Sequence, residues 1–496
     1  MRRLITLSVL ALLIGLTVYQ ASAATERSSP ATLPKGGTER GVAAFPTGTW
    51  NTAINVQNPT TSTATVQVKF YKSDGTLAYT APSDTIAAGG SKTYYLPDLT
   101  DLADGKYSGV VESDQAVVAV VTETSYSGKG IGDAYNGITA GATQLNVPVV
   151  YRGYSNWDTM VAIQNTDASA TASVALNFFK AGEATATLRS TDTIPALSSK
   201  TYDLSSAGFS TLGAGFLGSL TITSTTNVAA VAHGAKQTAG YDVLNIFRGV
   251  TSGATSYFAP VVYNQFSPST TNGWTSAINI ANLASTADTI TMDFTLDPRS
   301  GQTGTFTVSK PIAANSFAYF YLPDHTGGAA PNNIPTGVYG SAIIRSGGNQ
   351  IAVIATATKY ATGVATAYNA FPSTAGSKRV VSPVLYNQFN PSNTLGWTSA
   401  INVQNLGSAA DTVTMNFTLD ARSGQTGTFS WSQPVSANGA VTFYLPDANG
   451  TSGRPNVPLG VYGVAEVTST SQNILAVVTN TNYNRSFATA FVGVNE

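Results

Sequence analysis

Asp98, Asp101 and Asp104 stand three residues apart and run into Gly105. Carboxylates on a loop are hard oxygen ligands, and calcium takes about six to eight such oxygens. The order D-x-x-D-x-x-D-G is not that of an EF-hand. Only Asp98 has counterparts elsewhere, Asp324 and Asp447. A solvated turn is therefore expected, with calcium as the one cofactor the loop could take. Histidine occurs at 233 and 325 alone, and cysteine is absent. A thiolate nucleophile, a Cys-ligated zinc and any triad needing several histidines are thereby excluded. The two histidines lie at non-equivalent places, which suits structural roles. No G-x-S-x-G, H-E-x-x-H or phosphate-loop motif occurs, and the chain is expected not to be an enzyme.

The other chemistry on offer is aromatic. Tyr263 and Phe266, and again Tyr386 and Phe389, belong to Tyr-Asn-Gln-Phe segments just ahead of a Gly-Trp pair, and Trp431 alternates with Phe429. Rings on loops at the end of a rigid scaffold could stack on a sugar. The Tyr-Asn-Gln-Phe segments could equally pack at a junction between units, which is the favoured reading. Trp431, the one tryptophan outside a repeated position, is expected to be exposed.

These residues are carried on a β-rich chain. Of 496 residues only 10% are charged, against 43% hydrophobic, a composition that suits strands better than helical bundles. Lys plus Arg number 25 and Asp plus Glu 26, so the electrostatic basis for nucleic-acid binding is missing. The N-terminus has Arg2 and Arg3, an apolar run over 4–18 and Ala21-Ser22-Ala23. It reads as a signal peptide, 1–23, cut before Ala24. No later segment has the length of apolar helix that spans a bilayer, so the mature chain is expected outside the cytoplasm with no membrane span. Residues 24–41, rich in Pro, Gly and Ser, read as a flexible spacer.

Repetition organises the rest. Trp50, Trp157, Trp274 and Trp397 are separated by 107, 117 and 123 residues. Each opens a segment of two-residue alternation ending in Asn58, Asn165, Asn282 or Asn405, the pattern of a half-buried strand closed by a turn residue. A second strand follows, with inward residues Val66, Val68 and Phe70, then Val174, Leu176 and Phe178, then Ile290, Met292 and Phe294, then Val413, Met415 and Phe417. Tyr-Leu-Pro-Asp closes another strand at 95–98, 321–324 and 444–447, whereas the second copy keeps only Tyr202-Asp203-Leu204. A Gly-aromatic stretch and a continuous apolar run complete each copy. Segments 259–282 and 382–405 agree at 17 of 24 positions, and both copies carry an Arg-Ser-Gly-Gln-Thr-Gly-Thr-Phe insertion, at 299–306 and 422–429. The fold class expected is all-β: four tandem antiparallel β-sandwiches over 42–145, 146–257, 258–381 and 382–496. Repeats of this length are too long for single propeller blades, which run to about 40–50 residues. Short Pro-containing links between units (Val-Pro-Val-Val-Tyr, Ala-Pro-Val-Val-Tyr, Ser-Pro-Val-Leu-Tyr) favour a stiff rod of four independent cores.

The Trp-led alternation, the Phe-rich strand, Tyr-Leu-Pro, Gly-[Phe/Tyr]-x-Gly and Val-Ala-Val-Val together resemble the tandem immunoglobulin-like β-sandwich repeats of secreted bacterial cell-envelope proteins, a largely uncharacterised family. The resemblance extends over about 43–496. It implies architecture and extracellular placement and supplies no catalytic residues. The expected role is a structural or adhesive protein of a surface layer, filament or stalk, with itself, other envelope proteins or surface glycans as partners. A secreted array of carbohydrate-binding modules is the alternative.

Overall fold

The structure, a computed structural model, describes residues 33–35, 49–125, 130–238, 241–267, 273–326, 333–389, 396–483, 485 and 487–495. The signal-peptide reading over 1–23 lies outside them. Among these residues no helix is long and apolar enough to cross a membrane.

Each repeat forms antiparallel sheets whose strands follow the alternation of the sequence. In the third, an outer sheet contains Thr305–Ile312, Asp288–Leu296, Val338–Ser346, Ser256–Asn264 and Phe371–Pro372 in that spatial order. An inner sheet contains Phe317–Tyr321, Thr275–Asn282, Ile351–Lys359 and Val364–Asn369. The fourth repeat has the same two sheets. In the second, one strand of 23 residues, Phe216–Thr238, runs through both layers. The chain is all-β and sandwich-like, as its composition implies. Val66, Val68, Phe70, Leu176, Phe178, Ile290, Met292, Phe294, Val413 and Phe417 are fully buried, so period-two alternation selects the inward face.

Two repeated residue types shape each unit. The asparagine that ends each Trp-led segment is a staple. Asn58 Nδ2 donates to Ser62 O at 2.7 Å and Ile86 O at 2.9 Å, while its Oδ1 accepts from Thr60 N. Asn165, Asn282 and Asn405 make the same kind of bonds. One side chain thus satisfies carbonyls of two loops that would otherwise be buried without partners. The repeated glycine of the Gly-aromatic stretch permits close backbone approach: a Cβ at Gly218, Gly340 or Gly463 would lie 2.0 Å from a carbonyl oxygen of the adjacent strand.

The proline segments are not links. Pro148, Pro260 and Pro383 lie inside the strands Ala142–Arg152, Ser256–Asn264 and Arg379–Asn387. Each coincides with a register shift in the ladder. Proline has no N–H to donate, and a bulge is where a strand can carry it. The expected unit boundaries at 145/146, 257/258 and 381/382 therefore fall within strands. The spacer 24–41 also needs correction, since Leu33–Lys35 pairs with 105–107 at the edge of the first repeat's outer sheet.

The largest correction concerns the rod. The last inner strand of every repeat, namely Ile131–Asn136, Tyr241–Arg248, Val364–Asn369 and Phe487–Val492, packs beside its counterparts in cyclic order, and the fourth meets the first. The repeats form a closed ring about a common axis. Their cores are not independent. The core of the first takes in Leu244 and Ile246 of the second, that of the second Phe317 and Ile354 of the third, that of the third Leu475 and Val477 of the fourth, and that of the fourth Val120 and Ala134 of the first. The inner strands are consequently buried on both faces, and Asn55, Gln164, Asn279 and Gln404 on their second face are no more than 3% exposed.

Candidate functional site

The ring is centred on one carboxylate. Asp133 is fully buried, and its oxygens accept backbone N–H bonds from all four repeats: Ala134 at 2.9 Å, Ile246 at 2.7 Å, Ala367 at 3.0 Å and Ala490 at 2.9 Å. Burial pushes its carboxyl well above the usual carboxylate range, and the four amides pull against that. All four neighbours are donors, so a proton on either oxygen would face an N–H; the site fits the ionised form. The corresponding residues in the other repeats, Asn245, Thr366 and Thr489, are buried polar residues as well. Beside this hub His233 Nε2 lies 3.2 Å from Glu123 Oε2, both 1% exposed and in different repeats.

The hub fixes the contacts between neighbouring repeats, and one of them opens into a cleft of about 390 Å³ between the second and third. Tyr151, Tyr154 and Trp157 of the second repeat form one wall, and Tyr319, Tyr321 and Tyr360 of the third form the other. Tyr151 stacks on Tyr154 with centroids 6.3 Å apart and tilts against Trp157 at 5.7 Å. The Tyr154 hydroxyl faces that of Tyr319 across the cleft, and the Tyr321 hydroxyl lies near that of Tyr360. Burial, with the neighbouring tyrosines, pushes the Tyr151 hydroxyl far above its ordinary range, which keeps it a neutral donor. Lys236 sits 5.6 Å over the Tyr360 ring. Asp324 supplies an exposed carboxylate to the lining, and Asn245 contributes a buried Oδ1 with no donor among the described residues.

Local sequence explains why the cleft is here. A two-residue turn with positive φ at Ser155 and Asn156 brings Tyr154 back onto Trp157. The corresponding rings of the third and fourth repeats are Phe266 on Trp274 and Phe389 on Trp397. There Tyr339 and Tyr462 press edge-on against the phenylalanines at 4.6 and 4.7 Å. In the second repeat Leu217 stands in that place, leaving the aromatic wall open.

The residues singled out from sequence are distributed differently. Tyr263 and Phe266 stack at 6.2 Å within the third repeat, and the Tyr263 hydroxyl faces Thr479 of the fourth, which places Tyr263 at a contact between repeats. Tyr386 and Phe389 form the same stack in the fourth. Trp431 is buried, 4% exposed, edge-on to Phe443 at 5.1 Å and beneath the Arg454 guanidinium at 5.4 Å. Its strand pairs it opposite Met415, whose side chain points inward, and this settles its face. Trp50 and Trp157 are buried, whereas Trp274 and Trp397 are partly covered. Asp98, Asp101 and Asp104 are exposed, and among the described residues no three His, Asp or Glu side chains converge as a metal site needs. His325 is partly buried against Phe320, and that burial lowers its pKa. Tyr151, Tyr154 and Tyr360 were missed by sequence reasoning. The available signal was that Tyr154 carries a hydroxyl where two repeats have Phe.

Residues 41–243 match the model of a family of unknown function, DUF5719. The chain is thus similar, over that part, to a family without an assigned role. No curated protein matches the chain. Among solved structures, Thermotoga maritima 1070 is 17% identical, with 22% of this chain and 94% of that one covered and a TM-score of 0.20. A Streptomyces avermitilis alpha-L-rhamnosidase complexed with L-rhamnose is 8% identical, with 90% and 57% covered and a TM-score of 0.11.

Proposed function

We propose that this chain is a non-enzymatic adhesive protein of the cell exterior, built from immunoglobulin-like repeats, that holds a neutral, hydroxyl-rich glycan in the cleft between its second and third repeats. The observation that carries this reading is the cleft itself. Its facing walls of Tyr and Trp are mixed with Lys236, Asp324 and Asn245. Flat aromatic faces match the C–H faces of a sugar ring, and the polar groups match its hydroxyls. The volume falls within the range of small-molecule sites, about 300–1,000 Å³. Placement outside the cell rests on the leader-like segment 1–23. The non-enzymatic reading draws on the histidines being engaged in packing, His233 against Glu123 and His325 against Phe320. A ring closed on itself favours adhesion through a ligand over the filament or stalk that a rod would build.

The test is a glycan array followed by calorimetry with the oligosaccharide that scores highest, on the full chain and on Tyr360→Ala and Asp324→Asn. Binding that weakens about tenfold in each variant, with unfolding unchanged, supports the reading. An empty array, or variants that bind as well as the native chain, overturns it.

A further inference from the structure

A second cavity, of about 470 Å³, opens where the inner strands end along the axis, and it lies outside the aromatic cleft. Three residues beyond the hub, the four inner strands carry Asn136, Arg248, Asn369 and Val492. The two asparagines clamp neighbouring strands. Asn136 Nδ2 donates to Val492 O at 2.7 Å and its Oδ1 accepts from Val492 N at 2.9 Å. Asn369 does the same to Arg248, at 2.8 and 3.0 Å. Arg248 breaks the pattern. A guanidinium has donors only, so it cannot return such a two-way bond. Its Nη1 reaches Gly137 O at 3.3 Å, and among the described residues no carboxylate pairs with it. Burial alone lowers its pKa, to about 10, with no charged neighbour contributing. Arg248 is partly buried, a partly buried cation gains from a counter-charge in reach of its fork, and this one lines a cavity.

We propose that this axial cavity binds a small organic monocarboxylate, with Arg248 gripping the carboxylate and the apolar wall holding its body. Val117 and Val118 of the first repeat, Phe371 of the third and Val494 of the fourth supply that wall. A guanidinium fork matches a carboxylate in two parallel hydrogen bonds. A single cation matches a single negative charge, and the apolar wall disfavours a strongly hydrated dianion. All four repeats line the site, so it exists only in the closed ring and a ligand there stabilises closure by mass action. The inference does not depend on the glycan reading.

The experiment titrates sodium benzoate into the full chain by calorimetry and by thermal unfolding, with sodium phosphate at equal ionic strength as the comparison. Benzoate should bind one to one and raise the unfolding temperature. Affinity should fall at least tenfold in Arg248→Gln and severalfold in Arg248→Lys, which keeps the charge and loses the fork. Val494→Trp, which fills the cavity and leaves Arg248 in place, should abolish binding, and it keeps the test decisive if the Arg248 variants fold poorly. No benzoate binding, equal binding by Arg248→Gln or Val494→Trp, or tighter binding of phosphate than of benzoate overturns the assignment.

Discussion

The contact between the third and fourth repeats is built on the same strands as the contact between the second and third, yet it is closed where the other is open. Ala181, Asp297 and Asp420 hold equivalent positions, since each backbone N–H donates to the carbonyl preceding the repeated glycine. In the third repeat the insertion begins there. Asp297 accepts from Thr442 Oγ1 at 3.2 Å, and Arg299 reaches Thr442 O at 3.1 Å and Asp447 Oδ2 at 2.7 Å. The second repeat has neither the aspartate nor the arginine. Gly182 N instead meets Ser316 Oγ at 2.9 Å, Tyr319 stands where Thr442 does, and Asp324, the counterpart of Asp447, faces the cleft. A hairpin extension thus decides whether a repeat contact is a strut or a recess. Near-identical repeats acquire different roles through loops while their sheets stay alike.

Both contacts depend on the hub, so the largest effect should come from Asp133→Asn. The amide keeps the size of the carboxylate but loses the charge and turns an NH2 towards backbone N–H groups. Two of the four buried donors lose their acceptor, and a loss of about 3 kcal/mol or more is expected. Urea unfolding should show it, and glycan binding at the cleft should weaken along with it. Unchanged stability would mean that the contacts between neighbours hold the ring without its centre.

Arg299→Gln should act on one contact alone. The Arg299–Asp447 pair is partly exposed, and such pairs contribute about 1 kcal/mol or less. A small loss of stability with full glycan binding would separate strut from recess. Loss of glycan binding in this variant would show that the two contacts are mechanically coupled.

Much of each repeat is legible in the chain. Alternation placed Val66, Val68 and Phe70 inward, and the terminal Asn of each Trp-led segment marked a turn. The ring was not legible, for a physical reason. A strand such as Ile131–Asn136 carries Ile131 and Tyr135 on one face and Ala134 on the other, and that pattern is the same whether its second face meets its own sandwich or other repeats. The residue that specifies closure occurs once: Asp133 has Asn245, Thr366 and Thr489 as counterparts, so a search for repeated chemistry passes over it. A charged residue inside an apolar run was the available clue. Proline misled in a similar way, because Pro148 reads equally as a link or as a bulge. The cleft was hidden because it arises from what the second repeat lacks: an insertion, and a ring where Leu217 stands.

The smallest effect concerns pH and distinguishes Asp297 from Ala181. Burial raises the Asp297 carboxyl, against the opposing pull of the Arg299 amide, the Thr442 hydroxyl and the Arg299 charge. An acid whose folded pKa exceeds its unfolded value binds its proton more tightly when folded. Its contribution is therefore fully present below the unfolded pKa, near 3.8, and is lost as pH rises through the folded value. Asp297→Asn removes that titration and keeps the shape. Its stability relative to the native chain should improve as the pH is raised from about 4 to about 7, measured by urea unfolding in matched buffers. An Ala181→Ser control at the second-to-third contact should show no such trend. A gap between Asp297→Asn and the native chain that stays constant with pH would mean that Arg299 already neutralises the buried carboxylate, and the strut would then be an ion pair whose strength does not vary over that range.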